Sequence, residues 1–276
     1  MEEGSLFSAY LLALREGLEA ALLVGLTLGV LSRISRPDLR RQVWLGTGLA
    51  ATASLAMAMA LQRIGVALEG PAEMIFEGTT MLLAAVVLTW MIFWMRSQAR
   101  KTQAGLEADI HRAARPGQSS AVFSIAFLAV FREGIELALF LTAATFQVDV
   151  AATLSGGLLG LATAMALGYL LYGTSIRLDL RVFFQATGLL LLLFAAGLVG
   201  HAVHEFNELG WIPTLMDPIW NLSAWLREDT LVGSFLKSLF GYNADPSLTE
   251  ALAYASYLVV LALAWRTTSH RSPLVA

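Results

Sequence analysis

The chain has 276 residues, of which 57% are hydrophobic and 14% charged, and its formal net charge is -3. This composition is too apolar for a water-soluble enzyme or a nucleic-acid-binding protein and indicates an integral membrane protein with membrane lipid as its solvent. Because the chain has no cysteine, disulfides and thiolate metal ligands are excluded.

Seven apolar segments are long enough to be helices that cross a bilayer. They lie at about 6–30, 43–67, 74–95, 120–143, 151–173, 183–204 and 249–265. The connections after the first, third and fifth segments and the tail after the seventh carry thirteen Lys and Arg residues, whereas the other connections carry only Arg227 and Lys237. By the positive-inside rule, we expect the amino terminus outside and the carboxyl terminus in the cytoplasm, across the cytoplasmic (inner) membrane.

Two apolar segments carry one charged motif, REGLE at residues 15–19 and REGIE at residues 132–136. A charge at the centre of a membrane helix costs roughly 2.5 to 3.5 kcal/mol and usually faces a bundle interior or a water path. On a helix, Glu16 and Glu19 project from one face, and Arg15 can reach Glu19. We expect both motifs near the bilayer midplane.

The motifs belong to an internal repeat. An offset of 117 residues aligns residues 9–22 with 126–139, and eight of the fourteen positions are identical. Since the copies lie in the first and fourth predicted helices, three helices apart in order, they run in opposite directions, as in the inverted repeats of many transporters. Repeat A covers about 6–95 and repeat B about 120–204.

The predicted fold class is therefore an all-α polytopic membrane protein, with seven transmembrane helices arranged as two inverted three-helix repeats plus a seventh helix. The whole chain, 1–276, is predicted to form one integral membrane domain. Its external loop, about 205–248, is rich in tryptophan and is predicted to contain short amphipathic helices that anchor at the interface or, alternatively, cover an entry funnel.

Glycines in these segments also predict close helix packing. Gly25 and Gly29, and likewise Gly156 and Gly160, have the small-xxx-small spacing. The glycine inside each charged motif is interpreted in two ways, as a packing point or as a place where a backbone carbonyl is exposed beside the carboxylates.

If the two charged helices meet, they form an oxygen-rich anionic site. Glu16 and Glu19 would be joined there by Glu133 and Glu136, with Arg15 and Arg132 as motif support. Carboxylates bind hard cations, and an arginine could release a carboxylate when a metal ion arrives. The alternative is a pair of buried salt bridges that set helix register.

A second candidate metal site lies toward the outside. His201, His204 and Glu205 share the end of the sixth segment, and Glu77 lies one turn inside the third. Two histidines and a carboxylate can bind a transition metal. The alternative is that these residues are solvated helix ends, as we expect for Glu69 and Glu208.

At these residues the chain resembles the iron permease family, which includes fungal oxidase-coupled permeases and bacterial iron and lead transporters. The two copies look like that family's Arg-Glu-x-x-Glu motifs, and further similarity lies at residues 76–80 (FEGTT) and in the stretch 239–246. The resemblance implies high-affinity iron uptake, with the four motif glutamates handling iron. It also implies a separate extracytoplasmic partner: a ferroxidase, a peroxidase or an iron-binding protein.

The predicted function is thus uptake of iron, in the Fe(III) form that suits an all-carboxylate site, with iron as the transported substrate and no prosthetic group. Transport of another divalent metal such as lead or manganese stays open, as do a nontransporting metal sensor and a homo-oligomeric state. Enzymatic function is not predicted, because no nucleophile with a partnered base and no nucleotide-binding loop is present.

Overall fold

The computed structural model describes residues 3–114, 119–147, 149–173, 180–223, 225–228 and 230–269. Helices make up the fold, and no strand occurs in these ranges. They are α1 Glu3–Arg33, α2 Arg40–Ala67, α3 Pro71–Ala113, α4 Ser119–Thr145, α5 Val150–Gly173, α6 Leu180–Glu208, α7 Leu231–Phe240 and α8 Leu248–Ser269, with a 3-10 turn at Pro37–Leu39 before α2.

Each predicted segment lies within one long helix, and five of these helices are long and apolar enough to cross a membrane. The five stretches are Pro37–Ala67, Pro71–Met95, Val150–Leu171, Val182–Glu208 and Leu248–Thr267. The prediction of an all-α, multi-pass membrane protein is confirmed at this level. The two remaining helices, α1 and α4, carry the charged motifs, so each of their 18-residue stretches holds at least three charged residues. That α1 and α4 also cross the membrane stays a prediction.

Consecutive long helices run in alternate directions. At one end of the bundle, Phe7 near the start of α1 packs on Phe235 of α7, with ring centroids 5.6 Å apart. Gly78 near the start of α3 lies at the same end against Phe206 near the end of α6. The opposite end holds a separate hydrophobic cluster with members from the end of α1, the 3-10 turn, the start of α2, the end of α3 and the start of α4: Leu31, Leu39, Val43, Ile110 and Val122.

The helices pack in pairs, α1 with α5 and α2 with α4, while α3 packs with α6. Gly156 of α5 packs on the carbonyl of Leu6, and Gly46 of α2 packs on the carbonyl of Phe123, so a Cβ at either glycine would collide. Phe123 lies 117 positions after Leu6. The carbonyl residues of the two contacts are therefore related by the offset of the sequence repeat, whereas the two glycines lie 110 positions apart.

The motif glycines are packing points. A Cβ on Gly17 would lie 2.7 Å from the Cβ of Ala164 in α5, and a Cβ on Gly134 would overlap Ser54 in α2. These contacts support the packing interpretation over the exposed-carbonyl interpretation. The packing prediction fails at Gly29, because open space surrounds that position.

Helix α3 is longer than the apolar segment from which it was predicted. The apolar stretch ends near Met95, but the helix continues to Ala113. The extension is polar, and its far end is held because Ile110 and Ala113 are buried against α1 and α4. The Arg36 guanidinium also donates a hydrogen bond to the carbonyl of Ala114.

The loop at about 205–248, predicted to be external, contains one helix in its described part, α7, where short amphipathic helices were predicted. Thr230 caps α7 by accepting a hydrogen bond from the Gly233 N–H at 3.1 Å, and Gly241 ends it at a φ of 66°. The helix packs against α1 and α6. Trp225 is 91% exposed, as an interfacial anchor would be. That the loop anchors at the interface, or alternatively covers an entry funnel, stays a prediction.

Candidate metal site

Three carboxylates from two helices converge in the middle of the bundle. One oxygen each from Glu16 and Glu19 of α1 and Glu133 of α4 lie within 4.8 Å of one another. Glu16 and Glu133 are buried. Among the residues that the structure describes, no other group of three or more acidic or histidine side chains converges in this way.

Arg15 holds the α1 side of the site. Its Nη1 donates to Glu16 Oε1 at 2.8 Å, and its Nη2 lies 3.0 Å from Glu19 Oε1. The second contact is an ion pair without hydrogen-bond geometry, since Glu19 Oε1 lacks a hydrogen-bond donor. The Arg15 side chain is only 2% exposed, so its charge must be balanced by the protein.

The same guanidinium contacts two sulfur atoms of α3. Arg15 Nη1 lies 3.4 Å from the sulfur of Met91, and Nη2 lies 3.0 Å from the sulfur of Met95. Thioether sulfur is a weak hydrogen-bond acceptor. Arg15 is thus held between the carboxylates of its own helix and the thioethers of a helix 76 and 80 residues further along the chain.

Arg132 has a more open environment on α4. Its Nε donates to Glu136 Oε1 at 2.9 Å, and its side chain is 39% exposed. The guanidinium carbon lies 5.0 Å from the ring centroid of Trp94 on α3, which is within the range of a cation–π contact.

Several carboxylate oxygens of the site are buried without a hydrogen-bond donor. They are Glu16 Oε2, Glu19 Oε1, Glu133 Oε2 and Glu136 Oε2, of which Glu19 Oε1 has the Arg15 ion pair as its contact. A buried charged oxygen without a partner is costly, and a bound cation would remove that cost. The four motif carboxylates and two arginines carry a formal charge of -2 when all are ionised, so the site is suited to a cation.

Glu136 lies outside the converging group. It was predicted as a ligand together with the other three motif glutamates, and the structure pairs it with Arg132 instead. Its role as a ligand stays a prediction. The spacing of the motif could not separate Glu136 from Glu133, because both lie on the same face of α4.

The ligand atoms of the predicted outer residues do not form a converging group in the part of the chain that the structure describes. His201 Nδ1 lies 3.0 Å from the carbonyl oxygen of Gly197, one turn back on its own helix. His204 lies between two carboxylates, with Nδ1 3.5 Å from Glu250 and Nε2 3.4 Å from Glu208.

Glu77 and Glu205 are the other two predicted outer residues. Glu77 is half-buried near the start of α3, and Glu205 is half-buried near the end of α6. Neither belongs to a converging group of potential ligands in the described residues. Metal binding by these outer residues is untested.

Glu250 was missed by the sequence analysis. It is 4% exposed at the start of α8, and its Oε1 accepts a hydrogen bond from Asn243 Nδ2 at 2.9 Å. Ser247 precedes it by three residues, and the Ser247 Oγ accepts from the Glu250 N–H at 3.2 Å. The only local signal is this serine–glutamate spacing, which predicts a helix start rather than a binding site.

A sequence model described as the iron permease FTR1 family matches residues 6–267. The chain belongs to the FTR1 iron permease family. The match confirms the resemblance seen at the two charged motifs. The chain is therefore a membrane protein of an iron transport family.

Several curated proteins are similar to this chain over nearly its whole length. The chain is 38% identical over 257 residues to the ferrous iron permease EfeU of Escherichia coli O6:H1, and the match covers 92% of this chain and 93% of the relative. It is 36% identical to the EfeU of Yersinia pestis, covering 92% and 91%. A protein of Escherichia coli K12 described as a putative inactive ferrous iron permease EfeU is 38% identical over the same length. No solved structure matches the chain.

Proposed function

We propose that this FTR1-family protein moves iron across the cytoplasmic membrane into the cell through the carboxylates between α1 and α4. The observation that carries the proposal is the convergence of Glu16, Glu19 and Glu133 within 4.8 Å. Iron is the substrate that the family description and the names of the relatives indicate.

In this proposal α1 and α4 cross the membrane together with the five apolar helices. The seven spans form two inverted repeats and a final helix, with the amino terminus outside. The alternating helix directions and the glycine contacts of Gly46 and Gly156 support this arrangement. The excess of Lys and Arg on alternate connections supports the orientation.

Iron would arrive at the outer end, near Glu77 and the residues His201, His204 and Glu205. It would then bind between α1 and α4, with Glu136 as a further ligand, and leave toward the cytoplasm as the repeats rock against each other. A separate extracytoplasmic protein would deliver the iron or change its oxidation state.

Two oxidation states have different arguments in their favour. An all-carboxylate site suits the harder Fe(III) ion, as predicted from the sequence. A formal site charge of -2 is neutralised by Fe(II), and the curated relatives are named for ferrous iron. Fe(III) transport would require an oxidising partner outside, whereas Fe(II) transport would not.

The test is radioactive iron uptake into proteoliposomes that contain the purified chain, with Fe(II) kept anaerobic and Fe(III) supplied as a chelate. We expect accumulation by the native chain and its loss in Glu133→Gln. Glu69→Gln is the matched control, because it makes the same chemical change at an exposed residue. Accumulation that is unchanged in Glu133→Gln would contradict the proposal.

Two further measurements separate the alternatives. Competition by lead and manganese distinguishes a general divalent-metal transporter from an iron permease. Stoichiometric iron binding without time-dependent accumulation would identify a nontransporting sensor and overturn transport by this chain alone.

A further inference from the structure

One face of α3 contacts both motif arginines. Met91 and Met95 contact Arg15, and Trp94 lies against Arg132. The spacing of these α3 residues, three and four positions apart, places them on one side of the helix. No charged residue occurs in α3 between Glu77 and Arg96, so this face offers only neutral groups to two cations.

We propose that Met91, Trp94 and Met95 form an arginine cradle that keeps the two guanidinium groups in place when a metal ion takes their carboxylates. The three side chains are thus positioning residues for metal binding, acting through the arginines rather than as ligands. The inference rests on the proposed function, since it assumes that the carboxylate site binds iron.

Two carboxylates and two thioethers contact the guanidinium of Arg15. Each of its two terminal nitrogens contacts one carboxylate oxygen and one sulfur. A metal ion bound by Glu16 and Glu19 offsets the negative charge of those carboxylates and weakens their hold on the guanidinium, whose side chain is only 2% exposed. The sulfurs of Met91 and Met95 are the contacting acceptors that the metal ion does not engage.

The sulfurs favour the metal-bound form for a thermodynamic reason. Only an interaction that differs in strength between two states shifts the equilibrium between them. Without metal, the carboxylates also hold the guanidinium, by a hydrogen bond at Nη1 and by an ion pair at Nη2. With metal, the hold of the sulfurs is the one that is not weakened, and a buried N–H without any acceptor is costly. The loss of a sulfur therefore weakens the metal-bound form more than the empty one.

The chemistry of the cradle fits this role. A carboxylate on α3 would add a negative charge and hold the arginine permanently, whereas a leucine would offer no acceptor. Thioether sulfur lies between these limits because it is neutral, polarisable and a weak acceptor. Trp94 provides the corresponding neutral contact for Arg132, through the face of its ring.

The test measures equilibrium binding of anaerobic Fe(II) to the full chain in detergent, for the native protein and for Met91→Leu and Met95→Leu. We expect each variant to bind Fe(II) about two- to tenfold more weakly, because a change of this size corresponds to the loss of one modest hydrogen bond in the metal-bound state. Met81→Leu is the matched control and should bind like the native chain. Met81 is equally buried in the same core cluster, about 15 Å along α3 from Met91.

A second variant separates positioning from packing. Met95→Gln has a similar length and restores an acceptor, so its Fe(II) affinity should return to the native value or exceed it. The metal-free unfolding temperature should be similar in the three Met→Leu variants, because exchange of Met for Leu preserves volume. The rise in unfolding temperature on Fe(II) addition should be smaller in Met91→Leu and Met95→Leu.

The inference is overturned if Met91→Leu and Met95→Leu bind Fe(II) like Met81→Leu, or if Met95→Gln binds as weakly as Met95→Leu. Failure of the proposed function has a different result, in which the native chain itself neither binds nor accumulates iron. The two failures are therefore distinguishable in one set of measurements.

Discussion

The two copies of the charged motif have nearly the same sequence but different surroundings. In α1, Arg15 is fully buried and contacts two carboxylates and two sulfurs. In α4, the Arg132 side chain is 39% exposed and contacts one carboxylate and an aromatic ring. Glu19 joins the converging carboxylates, whereas Glu136, its equivalent, does not.

The difference shows that a repeated motif does not produce a symmetric site. The α1 copy supplies two of the three converging carboxylates, and the α4 copy supplies one. Side chains of α3 contact both arginines, yet only Arg15 is enclosed. Four predictions test this asymmetry, from the largest expected effect to the smallest.

The largest difference is expected between the two arginines. Arg15→Gln leaves buried carboxylates without their cation and should lower the free energy of unfolding by about 3 to 5 kcal/mol. Arg132→Gln removes a partly exposed ion pair and should cost about 1 kcal/mol or less. Denaturant unfolding in detergent micelles measures both, and equal losses would contradict the asymmetry.

The two equivalent glutamates should differ in metal binding. Glu19→Gln removes a member of the converging group and should weaken Fe(II) binding by about 10- to 100-fold, the usual size of an interaction with a charged group. Glu136→Gln should have a smaller effect. Titration of the full chain with anaerobic Fe(II) gives both values. A larger loss in Glu136→Gln would mean that the α4 carboxylate is the stronger ligand.

The glycines of the two motifs can be tested as a pair. Gly17→Ala and Gly134→Ala should each destabilise the protein by about 1 to 3 kcal/mol through overpacking. Their packing partners differ, so each has its own rescue: Ala164→Gly for the first and Ser54→Gly for the second. Thermal unfolding of the single and double variants measures the rescue. Recovery of Gly17→Ala by Ser54→Gly, or of Gly134→Ala by Ala164→Gly, would contradict the assigned contacts.

A small effect is expected for the ion pair of Glu228 with Lys237, outside the membrane spans. Its contribution to stability is a reference for the contribution of the Arg132–Glu136 pair. Glu228 Oε2 accepts from Lys237 Nζ at 2.6 Å, and Oε1 accepts from the Ala244 N–H at 2.9 Å. Burial raises the pKa of the Glu228 carboxyl, but these two hydrogen bonds outweigh it, so the pKa lies below its ordinary value of 4.5. Glu228→Gln should cost about 1 kcal/mol at neutral pH.

The pH dependence of this contribution follows from the lowered pKa. Stability from the Glu228 carboxylate is fully present above its ordinary pKa and is lost as the pH falls through the lowered value. The difference in unfolding temperature between the native chain and Glu228→Gln should therefore be constant near neutral pH and shrink below pH 4.5. A difference that grows on acidification would show that another group determines it.

Much of the architecture could be predicted from local pattern. Apolar length located every long helix, because a chain in lipid must satisfy its backbone hydrogen bonds internally. Spacing placed Glu16 and Glu19 on one face, and Arg15 does contact both. The helical extension of α3 beyond Met95 was missed, because a polar helix has no hydropathy signal and is held by burial of its far end.

By itself, the sequence determined the helices, the membrane environment and the pairing of Arg15 with Glu19, since these follow from composition and from the helical repeat. Only the tertiary structure decided that Glu133 converges with α1, that Met91 and Met95 contact Arg15, and that Glu250 contacts His204. A helical repeat defines the direction of a side chain around its own axis. The distance between two helices depends instead on where they pack, as at the motif glycines, and no local pattern encodes it.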